Sequence, residues 1–336
     1  MTLTDIPRLT LAAWPTPIEP LERLSRELGG PRLYVKRDDC TGLGGGGNKI
    51  RKLEYLLADA RARGCDALVT TGALQSNHAR LTAAAAAKLG WPCSLVLTDS
   101  VDWRRPEYRR SGNRLIERLL GTRVEIVAGP DERDERVEAA LAALRADGRW
   151  PYLIPLGGSD AVGTLGYAAC AAELQGQMRE LGLRFRALVT ATGSGGTQAG
   201  LVLGSRLAGL DLEVVGISVN KPADRLRETV AALVAGASTL VGGDGQPDPE
   251  IIVDDRHFQP GYGLPSEAMT EAVRLCAQLE GLLLDPVYSA KAMAGLIAQV
   301  REGRYGRDDA VLFLHTGGQP GLYAYESWFT AGEAPA

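Results

Sequence analysis

Residues 44–52, GGGGNKIRK, place a lysine directly behind four consecutive glycines, at what reads as the start of a helix. An amine attacks a carbonyl carbon only when it is neutral, and a lysine loses its proton more readily near other cations or away from water. Lys49 has Arg51 and Lys52 close by in sequence, so it is a candidate nucleophile. The glycines would let the backbone approach a flat ligand. The competing interpretation is a solvated lysine at a helix start, which is the commoner role of a lone lysine.

A second stretch, ALVTATGSGGTQAG at residues 187–200, reads as an apolar strand, a loop of small residues and a helix that begins near Thr197. Such a loop leaves backbone N–H groups free at a helix N-terminus, where the helix dipole also favours an anion. A phosphate is the predicted ligand, although a tight turn between strand and helix would give the same pattern. The G-x-G-x-x-G spacing of dinucleotide-binding proteins fails, since no glycine stands between Gly196 and Gly200. This counts against a nucleotide-dependent oxidoreductase.

The elements that would position these loops alternate through most of the chain. Apolar runs of strand length are separated by amphipathic or alanine-rich stretches such as HARLTAAAAAKLG, which ends in a glycine suited to a helix C-terminus. The runs are DALVTTG, PCSLVL, RVEIVA, PYLIP, ALVTATG, EVVGISV, LLLDP and AVLFLHTGG. This alternation predicts parallel strands covered by helices, with ligands bound in the loops that follow the strands. Residues 241–250, VGGDGQPDPE, predict an exposed loop.

The totals fit a globular protein with two lobes. The chain has 336 residues, more than one hydrophobic core usually holds, and 45% of them are hydrophobic. The formal charge of -4 includes no long block of one sign, so neither a nucleic acid nor a membrane is an expected partner. The N-terminus lacks the features of a signal peptide, and five scattered cysteines argue against disulfides and zinc. We therefore expect a cytoplasmic protein without a bound metal.

Five linked segments resemble one group of enzymes. They are KRDDCTGLGGGGNKIRKLEYLLADA, GALQSNHAR, ATGSGGTQAG, DPVYSAKAMAGL and FLHTGGQPGLYAY, and the resemblance extends from about Pro15 to Tyr325. The chain resembles the pyridoxal 5'-phosphate enzymes of the tryptophan-synthase-β fold. Within them it resembles the group of D-cysteine desulfhydrases, 1-aminocyclopropane-1-carboxylate (ACC) deaminases and L-cysteate sulfo-lyases. Five motifs in order are far more specific than any one of them.

The resemblance implies an architecture and an assembly. The fold would be α/β of type II, with two open, twisted, mostly parallel sheets flanked by helices. A small domain would occupy residues 53–163 and a large cofactor-binding domain residues 1–52 and 164–336, with the cofactor in the cleft. The usual assembly of the family implies a homodimer.

The resemblance also assigns the cofactor contacts. Lys49 would form the covalent imine with pyridoxal 5'-phosphate, and Lys52 would help to neutralise the phosphate. Asn77 would bond the ring hydroxyl. Backbone N–H groups would hold the phosphate in a loop made of Thr192, Gly193, Ser194, Gly195, Gly196 and Thr197.

The substrate contacts follow from two further motifs. Ser76 would touch the substrate and relay a proton, with Gln75 and His78 bordering the pocket. A histidine at a helix start is about as often held by its neighbours as it is catalytic. Tyr288 would lie beside the cofactor ring and move a proton through its hydroxyl, although a tyrosine after a buried strand is commonly a core residue. Tyr262 would lie near the substrate.

The residue after Tyr288 helps to distinguish between the reactions of this group of enzymes. ACC deaminases carry a glutamate there that protonates the pyridine nitrogen, whereas this chain has Ser289. A hydroxyl cannot hold a positive pyridinium as a carboxylate does, so we expect a neutral ring nitrogen bonded to Thr316 or Ser289. A weaker electron sink is sufficient for β-elimination, because expulsion of the leaving group relieves the negative charge at once. ACC deamination is therefore disfavoured.

The implied reaction is α,β-elimination on a small β-substituted amino acid, with Lys49 as the base and pyruvate and ammonia as products. D-cysteine would lose sulfide, and L-cysteate would lose sulfite and need a pocket for a permanent anion. The arginine-rich segment 102–113, DWRRPEYRRSGN, could supply a guanidinium for that anion or could be a solvated helix start. The preferred prediction is a D-cysteine desulfhydrase. A non-catalytic cofactor carrier would share these sequence features.

Overall fold

The runs of strand length belong to two separate sheets. The computed structural model describes residues 2–242 and 249–331, and ten strands lie within that part of the chain. The strands are β1 (Ile18–Pro20), β2 (Arg32–Arg37), β3 (Ala67–Ala73), β4 (Cys93–Thr98), β5 (Arg123–Val127), β6 (Pro151–Ile154), β7 (Ala187–Thr192), β8 (Glu213–Ser218), β9 (Ile252–Asp254) and β10 (Ala310–His315). The first sheet has the order β1-β2-β10-β7-β8-β9, and the second has the order β5-β4-β3-β6. Every neighbouring pair is parallel except β1 with β2, which confirms the predicted fold of open, mostly parallel sheets.

Helices connect the strands. The α-helices are α1 (Glu22–Leu28), α2 (Lys49–Ala62), α3 (Asn77–Leu89), α4 (Pro106–Arg110), α5 (Asn113–Leu119), α6 (Pro130–Ala146), α7 (Ala161–Leu181), α8 (Gly196–Leu207), α9 (Ala223–Leu240), α10 (Glu267–Glu280), α11 (Ser289–Arg301), α12 (Gln319–Leu322) and α13 (Glu326–Phe329). Short 3-10 helices cover Leu3–Asp5, Asp38–Thr41, Leu43–Gly45, Leu156–Gly158 and Tyr323–Tyr325. The alanine-rich α3 is an example of how caps set the first and last residues of an α-helix. The Ser76 hydroxyl accepts from the backbone N–H of Ala79 at its start, and Gly90 ends it in the left-handed conformation.

Helices cover both faces of the first sheet, as the apolar residues of β10 show. Val311 and Phe313 pack into one buried apolar layer, and Leu312 and Leu314 pack into another. Successive side chains of a strand point to opposite faces, so a strand buried on both sides is apolar at every position. This explains why the run AVLFL predicts a strand correctly without any alternation of polar residues.

The order of elements makes the second sheet an insertion into the first. The chain leaves the first sheet after β2, builds all of the second sheet, and returns with β7. The helices α2 and α7, which lie at the two crossings, pack against each other. The predicted domain boundaries fall within these two helices. The division into domains at those residues stays a prediction.

One predicted strand is wrong, and three strands lie outside the prediction. Residues 282–286, LLLDP, form no strand, because their backbone groups bond to a helix end and to side chains. The N–H of Leu282 donates to Cys276, and the carbonyl of Leu283 bonds the His315 ring. The unpredicted strands are β1, β2 and β9; charged residues interrupt β2, and the other two have only three residues each.

Two further expectations concern the surface. No helix within residues 2–242 and 249–331 is both long and apolar enough to cross a membrane. The exposed loop predicted at residues 241–250 falls mainly on residues 243–248, which lie outside the described residues.

Candidate active site

A cavity of about 350 Å³ lies where strands of both sheets end. The first sheet contributes residues that follow β7, β8 and β10, and the second contributes residues that end or follow β3 and β4. Both the volume and the position at carboxyl ends of parallel strands are typical of a small-molecule site. The predicted site residues that line the cavity are Lys49, Ser76, Asn77, His78, Thr192, Gly193, Ser194, Gly195, Thr197, Tyr262, Tyr288 and Thr316. Those outside the lining are Lys52, Gln75, Gly196 and Ser289.

Lys49 is the first residue of α2. The glycines before it adopt backbone conformations that residues with a side chain rarely adopt. Gly46 has φ 72°, and a Cβ built there would lie 1.9 Å from the carbonyl oxygen of Asp39. The Lys49 side chain lines the cavity, and its Nζ has no hydrogen-bond partner in the described part of the chain. Burial lowers the pKa of Lys49 to about 8. A sizeable fraction of this amine is therefore neutral near pH 7 to 8, as a nucleophile or base requires.

The loop between β7 and α8 has the features of an anion site. The backbone N–H groups of residues 193–197 donate to no acceptor within the described residues, and the buried hydroxyl of Thr192 has no partner there either. Lys52 reaches the same place, with Nζ 3.1 Å from the Gly157 carbonyl and 2.9 Å from the Ser159 hydroxyl. Burial, and then the nearby Lys49, hold the pKa of Lys52 well below its usual range. An anion bound at this helix start would favour the protonated form of Lys52.

The residues present fit pyridoxal phosphate. Its phosphate oxygens would accept from the free N–H groups of residues 193–197 and from Lys52. Its aldehyde would meet the amine of Lys49, the only lysine at the start of α2 that lines the cavity among the described residues. Its ring would find an aromatic side chain in Tyr288 and hydrogen-bonding groups in Asn77 and Thr316.

Gly196 gives a direct test of the anion site. A Cβ at this position would lie 2.7 Å from Lys52 Nζ and 2.6 Å from the Ser159 hydroxyl. We expect Gly196→Ala to weaken the affinity of the cofactor-free protein for pyridoxal phosphate by about 10-fold or more, because Lys52 must move away from the phosphate. Titration of the cofactor-free protein measures this.

A matched control exists on α7. A Cβ at Gly176 would meet no atom within 4 Å, so Gly176→Ala should leave the affinity for pyridoxal phosphate unchanged. Wild-type affinity in Gly196→Ala would place the phosphate elsewhere.

The junction of the β3–α3 loop with the start of α3 carries three neighbouring residues of the cavity lining, Ser76, Asn77 and His78. The Ser76 oxygen accepts from the N–H of Ala79, so its own proton is free to point into the cavity. Gln75 differs from the prediction: it is buried outside the cavity, and its amide nitrogen donates to the carbonyls of Tyr108 and Ser111. Because both hydrogens of this amide are used by the protein, Gln75 holds the loop and does not contact the cavity.

His78 is a neutral ring with one free nitrogen. The Thr70 hydroxyl donates to the carbonyl of Ile154, so it accepts from Nε2 of His78 at 2.9 Å. This assigns the proton to Nε2 and leaves Nδ1 as a buried acceptor with no partner in the described residues. Burial, followed by Lys49 and Lys52, keeps the pKa of His78 well below its usual value. The ring therefore carries no charge near pH 7.

Tyr288 and Tyr262 form a pair at the cavity. Their hydroxyls are hydrogen-bonded, and their rings meet edge to face with centroids 5.9 Å apart. Burial, followed by Tyr262, holds the pKa of Tyr288 well above its usual range, so this hydroxyl keeps its proton. The loop that carries Tyr262 is held in place by Lys291, whose Nζ donates to the carbonyls of Phe258 and Gly261. Tyr325 also donates to this loop, at Gly263.

Thr316 and Ser289, the two predicted contacts of the ring nitrogen, lie in different surroundings. Thr316 lines the cavity. Ser289 is fully buried outside the lining, and its hydroxyl donates to Asp285 Oδ1 at 2.7 Å while it accepts from the N–H of Asp285 at 2.8 Å. The structure therefore leaves Thr316 as the available hydroxyl, since that of Ser289, the first residue of α11, is bonded to Asp285.

The sequence analysis did not predict several residues of the site. The cavity is also lined by Asn48, Arg133, Asn220 and Lys221. The arginines proposed for an anionic substrate do not line it: Arg104 and Arg109 are exposed and pair with Asp99. Arg133 lies on α6, far from the motifs in sequence, and no local pattern distinguishes it from the other charged residues of that helix.

Comparison with known proteins identifies the family of this chain. A family model described as pyridoxal-phosphate dependent enzyme matches residues 9–317. The chain is 45% identical over 324 residues to a D-cysteine desulfhydrase from Klebsiella pneumoniae subsp. pneumoniae, covering 96% of this chain and 97% of the relative. It is 44% identical over 326 residues to a D-cysteine desulfhydrase from Salmonella newport, with the same coverage.

Solved structures show the same fold. A crystal structure of an ACC deaminase homologue matches with a TM-score of 0.88 and 38% identity, covering 98% of this chain and 97% of that one. A hydrogen sulfide-producing enzyme from Fusobacterium nucleatum matches with a TM-score of 0.63 and 14% identity, over 96% of this chain and 98% of that one, which shows the fold alone. Because the family model spans most of the sequence and the relatives cover nearly all of it, the chain belongs to the family of pyridoxal-phosphate-dependent enzymes.

Proposed function

We propose that this protein is a carbon–sulfur lyase that converts D-cysteine and water to pyruvate, ammonia and hydrogen sulfide. The observation that carries the proposal is the half-buried Lys49, whose amine has a lowered pKa and lies in a cavity that also holds an anion site. The similarity to D-cysteine desulfhydrases over nearly the whole chain supports the choice of substrate.

The proposed roles follow from where each group lies. Residues 193–197 and Lys52 would hold the phosphate, and Asn77 and Thr316 would bind the polar atoms of the ring. The cofactor, when bound, acts as an electron sink that stabilises negative charge at the α-carbon of the substrate.

Two side chains would move the protons. The neutral Nζ of Lys49 takes the proton from the α-carbon. The electron pair left behind expels the sulfur as the carbon–sulfur bond breaks, and the Tyr288 hydroxyl can give that sulfur a proton. The unsaturated product is then released and reacts with water to give pyruvate and ammonia. Ser76, whose hydroxyl proton is free, would bond the substrate carboxylate. These roles of Lys49, Ser76 and Tyr288 belong to the proposal.

A second candidate substrate is L-cysteate. Arg133 and Lys221 line the cavity, and these cations are suited to a sulfonate, which stays charged at all ordinary pH values. The leaving group would then be sulfite. ACC is disfavoured, because Ser289 stands in place of a carboxylate and its hydroxyl is already bonded to Asp285.

A pyruvate assay over D-cysteine, L-cysteine, L-cysteate, β-chloro-D-alanine and ACC distinguishes these substrates. We expect kcat/KM to be highest for D-cysteine, with sulfide released in equal amount to pyruvate, and ACC to be at least about 100-fold poorer. Sulfite release from L-cysteate at a higher kcat/KM would select the second candidate. A preference for ACC would contradict the argument from Ser289, and pyruvate from none of the substrates would contradict a lyase altogether.

We also propose that the protein acts in the cytoplasm as a homodimer. Its five cysteines are all unpaired, which suits a reducing compartment. Large apolar side chains are exposed at Leu119 and Trp150, and such groups are often covered in an assembly. Light scattering from the purified protein measures the mass of the assembly.

A further inference from the structure

The arginine-rich segment ends in Ser111, Gly112 and Asn113, and this end is the part that reaches the active site. Asn113 begins α5 and is fully buried. Its backbone N–H donates to Gln75 Oε1 at 2.9 Å, and its side-chain Nδ2 donates to the Gln75 carbonyl at 3.0 Å. The turn fits tightly, because a Cβ at Gly112 would lie 2.7 Å from Gln75 Oε1. The end of the β3–α3 loop, at Gln75 and Ser76, and the start of α3 are therefore held in place by a residue far away in sequence.

The same asparagine bonds the Asn77 side chain, and the direction of that bond can be assigned. A side-chain amide can be turned over without changing its shape, so its orientation must follow from its partners. The chain of bonds starts at Arg80, whose guanidinium can only donate, and its Nε lies 2.6 Å from Asn113 Oδ1. Burial lowers the pKa of Arg80 to about 10, so it stays protonated near pH 7. Asn113 must then present its nitrogen on the other side, where Nδ2 donates to Asn77 Oδ1 at 2.9 Å.

This leaves Asn77 with only one way to face the cavity. Its oxygen is taken by Asn113, so its Nδ2 hydrogens remain, and they donate to no acceptor in the described residues. We propose that Arg80 and Asn113 are positioning residues that make Asn77 a hydrogen-bond donor toward the ring oxygen of the cofactor. The proposal rests on the proposed cofactor site and does not depend on the identity of the substrate.

The hydrogen bonds that run from Arg80 through Asn113 to Asn77 are called the relay below. Arg80 also connects this relay to the loop before Lys49. Its two terminal nitrogens donate to the carbonyls of Gly44 and Gly46, within the glycine run. One buried guanidinium therefore connects the backbone that precedes Lys49 with the amide that would bind the cofactor ring. In a low-dielectric interior such a connected network resists reorientation, and each member fixes the direction of the next.

A double-mutant cycle tests the relay through the affinity of the cofactor-free protein for pyridoxal phosphate. We expect Asn77→Ala and Asn113→Ala each to weaken that affinity by about 10-fold, because the first removes the donor and the second removes the bond that orients it. If Asn113 acts through Asn77, adding Asn113→Ala to Asn77→Ala changes the affinity by less than about 2-fold. Multiplication of the two single effects in the double variant would overturn the proposal, since it would show that Asn113 acts by another route.

Asn113→Asp covers the case in which the alanine variant does not fold. It keeps the shape and the contact with Arg80 but has no nitrogen to donate, so Asn77 would turn its own nitrogen toward position 113 and present its oxygen to the cavity. The affinity for pyridoxal phosphate should again fall by about 10-fold. An unchanged affinity in Asn113→Asp would overturn the proposal.

The matched control is Val137→Ala, in the buried apolar layer beneath α6. It should lower the melting temperature, as a truncated core residue does, and leave the affinity for pyridoxal phosphate unchanged. The comparison separates loss of orientation at Asn77 from general loss of stability. A fall in affinity in Val137→Ala equal to that in Asn113→Asp would also overturn the proposal.

Discussion

Lys49→Ala should lower kcat/KM for pyruvate formation by at least about 10⁴-fold, because one amine is proposed both to bond the cofactor and to remove the α-proton. The change should also abolish the visible absorbance that the bound cofactor gives to the wild-type protein. The matched control is Lys88→Ala, which removes an exposed lysine from the last turn of α3 and should change neither quantity. Residual activity in Lys49→Ala above about a tenth of wild type would exclude the proposed base.

The lowered pKa of Lys49 can be checked without the reaction. Only a neutral amine is acylated, so in the cofactor-free protein the labelling of Lys49 should rise with pH around a midpoint of about 8. The lysine of a short unstructured peptide, labelled under the same conditions, should show the ordinary lysine midpoint of about 10.4. Mass spectrometry follows the labelling of both amines. A midpoint for Lys49 equal to that of the reference peptide would show that burial does not shift its pKa.

Tyr288→Phe should lower kcat by about 100- to 1,000-fold and change KM only a few-fold, because the ring remains but the proton donor is lost. Burial raises the pKa of Tyr288, and a raised phenol pKa keeps the hydroxyl protonated across the neutral range. The kcat of the wild-type enzyme should therefore show no fall from tyrosine ionisation below about pH 10. Steady-state kinetics over a pH series measures both quantities.

Tyr262→Phe is the matched variant, because it removes the other hydroxyl of the same pair. It leaves the Tyr288 hydroxyl in place without its partner, so we expect a smaller fall in kcat, about 10-fold. If Tyr262→Phe were the more damaging change, the roles of the two tyrosines would be exchanged. If both variants kept wild-type kcat, another group would have to protonate the sulfur.

The fold could be predicted from the sequence wherever its signal is local. The helix expected behind the glycines begins at Lys49, and the helix expected near Thr197 begins one residue earlier, at Gly196. The run LLLDP wrongly predicted a strand, because a buried segment is apolar whether or not it pairs with a neighbouring strand. β2 was missed for the opposite reason: RLYVKR is a strand between two neighbours although half of it is charged.

The site could be predicted only where a motif is continuous in sequence. Lys49, Ser76, Asn77 and Tyr288 were predicted from motifs, and all four line one cavity. Gln75 and Ser289 belong to the same motifs but face the protein interior, and sequence order alone does not reveal which way a loop residue points. The role of Asn113 could not be predicted from the sequence, because its hydrogen-bond partners lie more than 30 positions away and come together only in the folded chain.

The paired lysines at the start of α2 have a consequence for the amount of protein in a cell. Lys49 and Lys52 lie in the first turn, where the helix dipole disfavours cations, and burial lowers the pKa of both. A doubly charged ligand that binds only the folded chain offsets this cost by mass action. Scarcity of vitamin B6 should thus deplete the polypeptide itself, because unloaded chains unfold more often and are degraded.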